Sequence, residues 1–137
     1  MPDPFDLTTT HVHLGLGATA TPIENFEWSP SFLEAYERDH AADGAEGRLV
    51  SMFPQEETWT FWERHPAGEE VVVLMSGRVD LIREVDGVEE LIELRPGTAT
   101  VNPKGVWHRA VVLEPGVGLF ITPGTGTEHR PFEVSDD

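Results

Sequence analysis

From Arg48 to Thr122 the chain alternates apolar and polar residues with a period of two, in short runs broken by turn residues. The runs are Arg48–Phe53, Thr58–His65, Glu70–Met75, Arg78–Val85, Val88–Leu94, Thr98–Val101, Trp107–Leu113 and Val117–Thr122. Asp86-Gly87 reads as a two-residue hairpin, because both central positions of that turn need positive φ. Ser76-Gly77, Pro96-Gly97 and Pro115-Gly116 mark further turns. Short strands at this spacing predict an all-β sandwich, barrel or jelly roll across residues 48–123. Upstream the pattern differs. The segment before Ser29 is rich in Thr, Gly and Pro, with one alternating piece, Thr10-His11-Val12-His13-Leu14, read as an edge strand of an arm. Ser29 caps a short helix in which Pro30 takes the first position, Phe32, Leu33 and Tyr36 form an apolar stripe, and Gly44 is the stop. The expected organisation is an arm and helix over 1–47, a barrel over 48–123 and a tail over 124–137, without internal repeats.

The strand faces carry the chemistry. Along Thr58–His65, alternation puts Trp59, Phe61, Glu63 and His65 on one face. Glu70 heads a stripe with Val72 and Leu74, and His108 shares a face with Val106, Ala110 and Val112. A buried carboxylate without a partner costs several kcal/mol or takes up a proton, so two carboxylates and two imidazoles on apolar faces want shared partners. Brought together, Glu63, His65, Glu70 and His108 make a shell whose two negative charges neutralise a divalent ion. The opposite faces hold Trp62, Val71, Val73 and Met75, a second apolar surface for a sandwich wall or a homodimer interface to cover.

Composition narrows this picture. Cysteine is absent, so any metal must sit on His and carboxylates, and no thiol chemistry is open. A formal net charge of −16, with Lys104 the lone lysine, argues against nucleic acid and anionic lipid as partners. No run approaches the roughly 20 apolar residues that span a bilayer, and the start lacks the basic and apolar blocks of a signal peptide, so a cytoplasmic location is expected. Arg64 and Arg109 fall on the faces away from the candidate ligands and only Arg83 is placed to point inward. A neutral or singly charged small organic molecule is therefore the expected ligand.

Two spaced motifs resemble those of the cupin superfamily, which read in outline G-x5-H-x-H-x3–4-E-x6-G and G-x5-P-x-G-x2-H-x3-N. Here His65-x4-Glu70-x6-Gly77 follows the first and Gly97-x5-Pro103-Lys104-Gly105-x2-His108 the second, together about a third of the chain. Glu63 stands where the first motif has its leading His, Glu57 where it has its first Gly, and Val112 where the second has Asn. The resemblance implies a double-stranded β-helix, the cupin jelly-roll barrel, with an N-terminal arm and one short helix. It carries His65, Glu70 and His108 over as ligands of one divalent ion, Fe, Mn, Ni, Co or Zn, and puts Glu63 at a ligand position with a changed group. Glu63 either binds the ion directly or holds His65 in the right tautomer.

The function this implies is a metal-dependent enzyme of dioxygenase, isomerase or lyase type acting on a small organic molecule. Its pocket is expected to be lined by Trp59, Phe61, Val72, Leu74, Ala110 and Val112, with Glu63 as general base once it swings off the ion. The alternatives are a non-catalytic small-molecule-binding or sensing module, and a metal-free polar cluster in which the carboxylates hydrogen-bond the imidazoles. His11, His13, His40 and His129 read as surface or edge residues.

Overall fold

The computed structural model describes residues 4–123 and 125–132. Two antiparallel sheets face each other. The first runs β2 (Thr19–Ile23), β1 (His11–Gly15), β3 (Arg48–Gln55), β10 (Gly116–Thr122), β5 (Glu70–Leu74) and β8 (Ala99–Asn102). The second runs β11 (Glu128–Pro131), β4 (Phe61–Arg64), β9 (Trp107–Glu114), β6 (Arg78–Val85) and β7 (Val88–Leu94). Chain neighbours β3 and β4, or β9 and β10, thus lie in different sheets, the connectivity of a jelly roll.

Local chemistry accounts for the turns. Asp86 and Gly87 both adopt positive φ, 52° and 77°, so β6 and β7 form the tight hairpin with Val85 opposite Val88. The tightest backbone approach joins the β5–β6 and β9–β10 turns, where a Cβ on Gly116 would sit 2.0 Å from the Ser76 carbonyl oxygen. Nothing in that contact is a flexible side chain, so Gly116→Ala should destabilise by about 3 kcal/mol or more, the upper range of overpacking. Gly97→Ala meets no atom within 4 Å and, at φ +83°, should cost only the left-handed backbone, about 1–2 kcal/mol. Thermal melts of the two variants separate these effects, and an equal loss of stability would refute the steric account.

The core lies between the sheets. Val72, Leu74, Val79, Leu81, Leu94, Ala110 and Phe120 are buried there, with Phe53, Trp59, Ile92 and Val112 packed against them. Helix α1 (Pro30–Asp39) starts as read, with the Ser29 hydroxyl accepting the Phe32 N–H at 3.3 Å. It ends at Asp39, and a 3-10 stretch over Ala41–Glu46 carries the chain on past Gly44 at φ 54°.

Several expectations need correction. The alternating piece in the arm is a strand, but His11 and His13 are buried rather than at the surface. His11 Nδ1 meets the Leu7 carbonyl at 2.9 Å and its ring packs on Phe26 and Trp28. β2 and β11 add two strands that the alternation does not announce. Strand β4 begins at Phe61, three residues later than read, although the Trp59 N–H still donates to Ala110 O at 2.9 Å. Trp62 is covered by the chain's own Phe132, Arg109 and Arg130, so no second copy is needed over it, while Met75 stays half exposed. Of the expected tail, residues 124 and 133–137 lie outside the described residues, and the part that is described pairs with β4.

Candidate metal centre

The strand ends bring the four candidate ligands together. Glu63 on β4 pairs directly with His108 on β9, His65 follows β4, and Glu70 opens β5. One donor atom from each lies within 4.8 Å of the other three. His65 Nε2 is 3.1 Å from Glu63 Oε1 and 3.2 Å from Glu70 Oε2, and His108 Nε2 is 3.5 Å and 3.3 Å from the Oε1 atoms of Glu63 and Glu70. Both Nε2 atoms are buried and none of these contacts has hydrogen-bond geometry, so each imidazole turns a partnerless nitrogen to the same point. Burying such groups unpaired is costly, and a cation between them removes the cost.

Each of these groups is held from behind. His65 Nδ1 meets Thr127 Oγ1 at 2.9 Å and His108 Nδ1 donates to Val106 O at 3.4 Å, which leaves Nε2 as the donor atom in the neutral ring of His108. Glu70 accepts from Asn102 Nδ2 at 3.1 Å and from the Thr122 hydroxyl at 2.6 Å. Arg83 Nε in turn donates to Asn102 Oδ1 at 2.9 Å, so Arg83 supports Glu70 through Asn102 and does not line the cavity. Glu63 Oε2 accepts from His129 Nε2 at 2.8 Å, leaving Oε1 for the shared point.

The electrostatics fit the contacts. Burial pushes the Glu63 carboxyl up, but the imidazoles of His108, His129 and His65 outweigh it and hold the group well below the usual range. Burial lowers His65, yet Glu63 and Glu70 raise it to about 9. The Glu63 hydrogen bond raises His129 despite its partial burial. The cluster as it stands therefore holds a proton on His65, which a divalent ion displaces on entering.

A cavity of about 840 Å³ opens on the cluster. Its wall includes Trp28, Phe53, Trp59, Phe61 and Phe120, with Leu33 and Tyr36 from α1. Its charged lining residues are Glu37, Glu63 and Glu70, with no Lys or Arg among the described residues. Trp59 and Phe61 lie on the wall as read, stacked with centroids 5.0 Å apart. Val72, Leu74, Ala110 and Val112 do not. They belong to the core packing beneath the site, because successive inward positions along a strand run deeper into the barrel. His129, Thr127, Thr122 and Asn102 are the site residues that the alternation pattern does not single out.

No family model matches the chain, and no curated protein matches it. Solved structures do. A cupin-2 domain protein from Shewanella frigidimarina is 26% identical with a TM-score of 0.48, over 56% of this chain and 70% of that one. Recombinant oxalate oxidase in complex with glycolate is 14% identical with a TM-score of 0.51, over 59% of this chain and 45% of that one. Bacillus subtilis oxalate decarboxylase, described with Mn(II) centres, is 16% identical with a TM-score of 0.52, over 69% of this chain and 26% of that one. The chain thus spans less than half the length of either oxalate enzyme. Two facing antiparallel sheets in jelly-roll order are the fold that this chain shares with the two oxalate enzymes. Among the described residues no helix is long and apolar enough to cross a membrane.

Proposed function

We propose that the protein is a metal-dependent cupin enzyme that converts a small organic molecule at one divalent ion bound by Glu63, His65, Glu70 and His108. The observation that carries this reading is the pair of buried, partnerless Nε2 atoms of His65 and His108 facing two carboxylates. Two carboxylates and two neutral imidazoles balance the charge of Fe(II), Mn(II), Ni(II), Co(II) or Zn(II). Such an ion, when bound, lowers the pKa of a coordinated enol, hydroxyl or water and, if iron, engages O₂.

The chain's own residues set the rest. Trp59 and Phe61 stack into a flat apolar wall beside Glu63, suited to an aromatic or unsaturated body. The lining's lack of Lys and Arg favours a neutral or singly charged molecule over a phosphate. Glu63 is the general base once its Oε1 swings off the ion, with His129 keeping hold of Oε2. The exposed apolar side chains of Val88 and Leu91 on the edge strand β7 support a homodimer.

The test loads chelator-treated protein with each of the five ions and follows O₂ uptake and product formation over a panel of small phenols, enols and hydroxy acids. Turnover with one ion, reduced about 10²-fold or more in Glu63→Gln, is the expected result. Panel members that raise the melting temperature of the loaded protein without turnover would replace the enzyme by a small-molecule-binding module.

A further inference from the structure

A second group of metal-ligating side chains lies apart from the cavity cluster. His13 on β1, His40 at the C-terminal cap of α1 and Asp43 in the following 3-10 stretch each offer a donor atom within 4.8 Å of the others. None of the three lines the cavity. We propose that His13, His40 and Asp43 form a second site, for a late first-row divalent cation of the Zn(II) type, which clamps α1 to the N-terminal arm. The inference shares no ligand with the proposed catalytic centre and stands or falls separately from it.

The geometry is built rather than incidental. His13 is only 4% exposed, with Nδ1 2.5 Å from the Tyr36 hydroxyl and Nε2 2.7 Å from Asp43 Oδ2. Asp43 Oδ1 accepts the Leu16 N–H at 3.0 Å, which leaves Oδ2 directed at His13. The His40 ring stacks on His13 at 3.9 Å, and among the described residues nothing hydrogen-bonds its ring nitrogens. The backbone closes tightly around the group. A Cβ on Gly15 would sit 2.7 Å from Asp43 Oδ2, and one on Gly47 would sit 3.0 Å from His13 Cε1.

The donor set fixes the class of ion. Two imidazoles and one carboxylate suit Zn(II), Co(II) or Ni(II), with water free to complete the shell, and disfavour Ca(II) or Mg(II), which want oxygen. Tyr36 provides the outer partner that a metal-bound imidazole normally has. His40 sits at the carbonyl end of the helix, where the dipole favours positive charge.

Proton balance gives the site a consequence at the cavity. In the tautomer that donates Nε2–H to Asp43, the His13 ring accepts a hydrogen bond from the Tyr36 hydroxyl at Nδ1. With Nε2 given to an ion, the ring proton moves to Nδ1 and donates to the Tyr36 oxygen, so the hydroxyl hydrogen of Tyr36 must turn away. Tyr36 lines the cavity, and occupancy of the second site therefore changes which hydrogen-bonding face it offers there.

Zn(II) titration of the metal-free full chain by calorimetry tests this. In a His65→Ala/His108→Ala/Glu63→Gln background, which disables the cavity cluster and is verified as folded by circular dichroism, one equivalent should still bind and should raise the melting temperature. Adding His40→Ala or Asp43→Asn should weaken it by more than about tenfold, since loss of even an outer partner costs about 10- to 100-fold. His40 is partly exposed at the helix cap, so that variant keeps its fold, verified by circular dichroism. Absence of Zn(II) binding in the background, or binding that survives both added substitutions, overturns the second site. If wild type binds one equivalent and the background still binds one, the cavity reading fails while this one stands.

Discussion

His65→Ala and His108→Ala should each abolish metal binding at the cavity cluster, lowering affinity by more than about 100-fold, beyond the loss that outer partners cause. Either substitution leaves one imidazole with Glu63 and Glu70, a three-donor set that has lost one of its two nitrogen ligands and the neutral donor that late first-row ions favour. The two variants differ in the metal-free protein. His65 lies within 3.2 Å of both carboxylates and carries the proton that offsets them, so its loss leaves Glu63 to His129 alone and Glu70 with only the neutral donors Asn102 and Thr122. Breaking a buried pair in this way typically costs about 3–5 kcal/mol. His65→Ala should therefore be the less stable variant, and Glu63→Gln added to it should restore part of the loss. Elemental analysis of untagged protein, with calorimetric melts beside it, checks both halves. Retention of the full metal content by either variant removes the four-residue centre, and equal melting temperatures remove the charge argument.

Much of this site is legible in the sequence because Glu63, His65, Glu70 and His108 interrupt apolar strand faces, and a period of two is enough to expose the interruption. The same alternation reports a face and not a depth. At about 3.3 Å per residue, Leu74 lies about 13 Å along the strand from Glu70, so a residue on the ligand face becomes core rather than cavity wall. Ala110 and Val112 follow the same rule down β9 from His108. His129 is invisible for a different reason. Strand β11 is four residues long with no alternating apolar run, and its register places His129 opposite Glu63, so the signal is a polar pairing across 66 residues of chain. The arm fails similarly. His11 and His13 look like exposed residues of a polar segment until Phe26, Trp28, Tyr36 and His40 fold over them. Local pattern identifies what must be buried within a strand, whereas these histidines are buried by partners that only the tertiary fold supplies.

In metal-free protein, the melting temperature should fall as pH rises from about 6.5 to 9, and bound ion should cancel or reverse the slope. The His65 imidazole sits between two carboxylates that overcome its burial and raise it to about 9 from an unfolded value of 6.5. A group whose folded pKa is raised gives its full stabilisation below the unfolded pKa and loses it as pH climbs through the folded one. His129, also raised by Glu63, adds a contribution of the same sign. His11 and His40 act oppositely, since burial lowers both, but a depressed imidazole has given its full effect about one pH unit above 6.5, so it flattens only the acid edge of this window. On the acid side Glu63 takes over. Its carboxyl, held well below 4.5, stabilises the fold above the unfolded value and loses that effect only as pH falls through its folded pKa. An ion needs the bare Nε2 of His65 and must expel the proton, so apparent affinity should climb by about tenfold per pH unit until His65 is neutral. The two trends come from one proton and must therefore level off at the same pH, the folded pKa of His65. Calorimetric melts of chelator-treated and metal-loaded protein at several pH values measure both, and a metal-free melting temperature that is flat or rising across the window would show that the carboxylates do not hold His65 protonated.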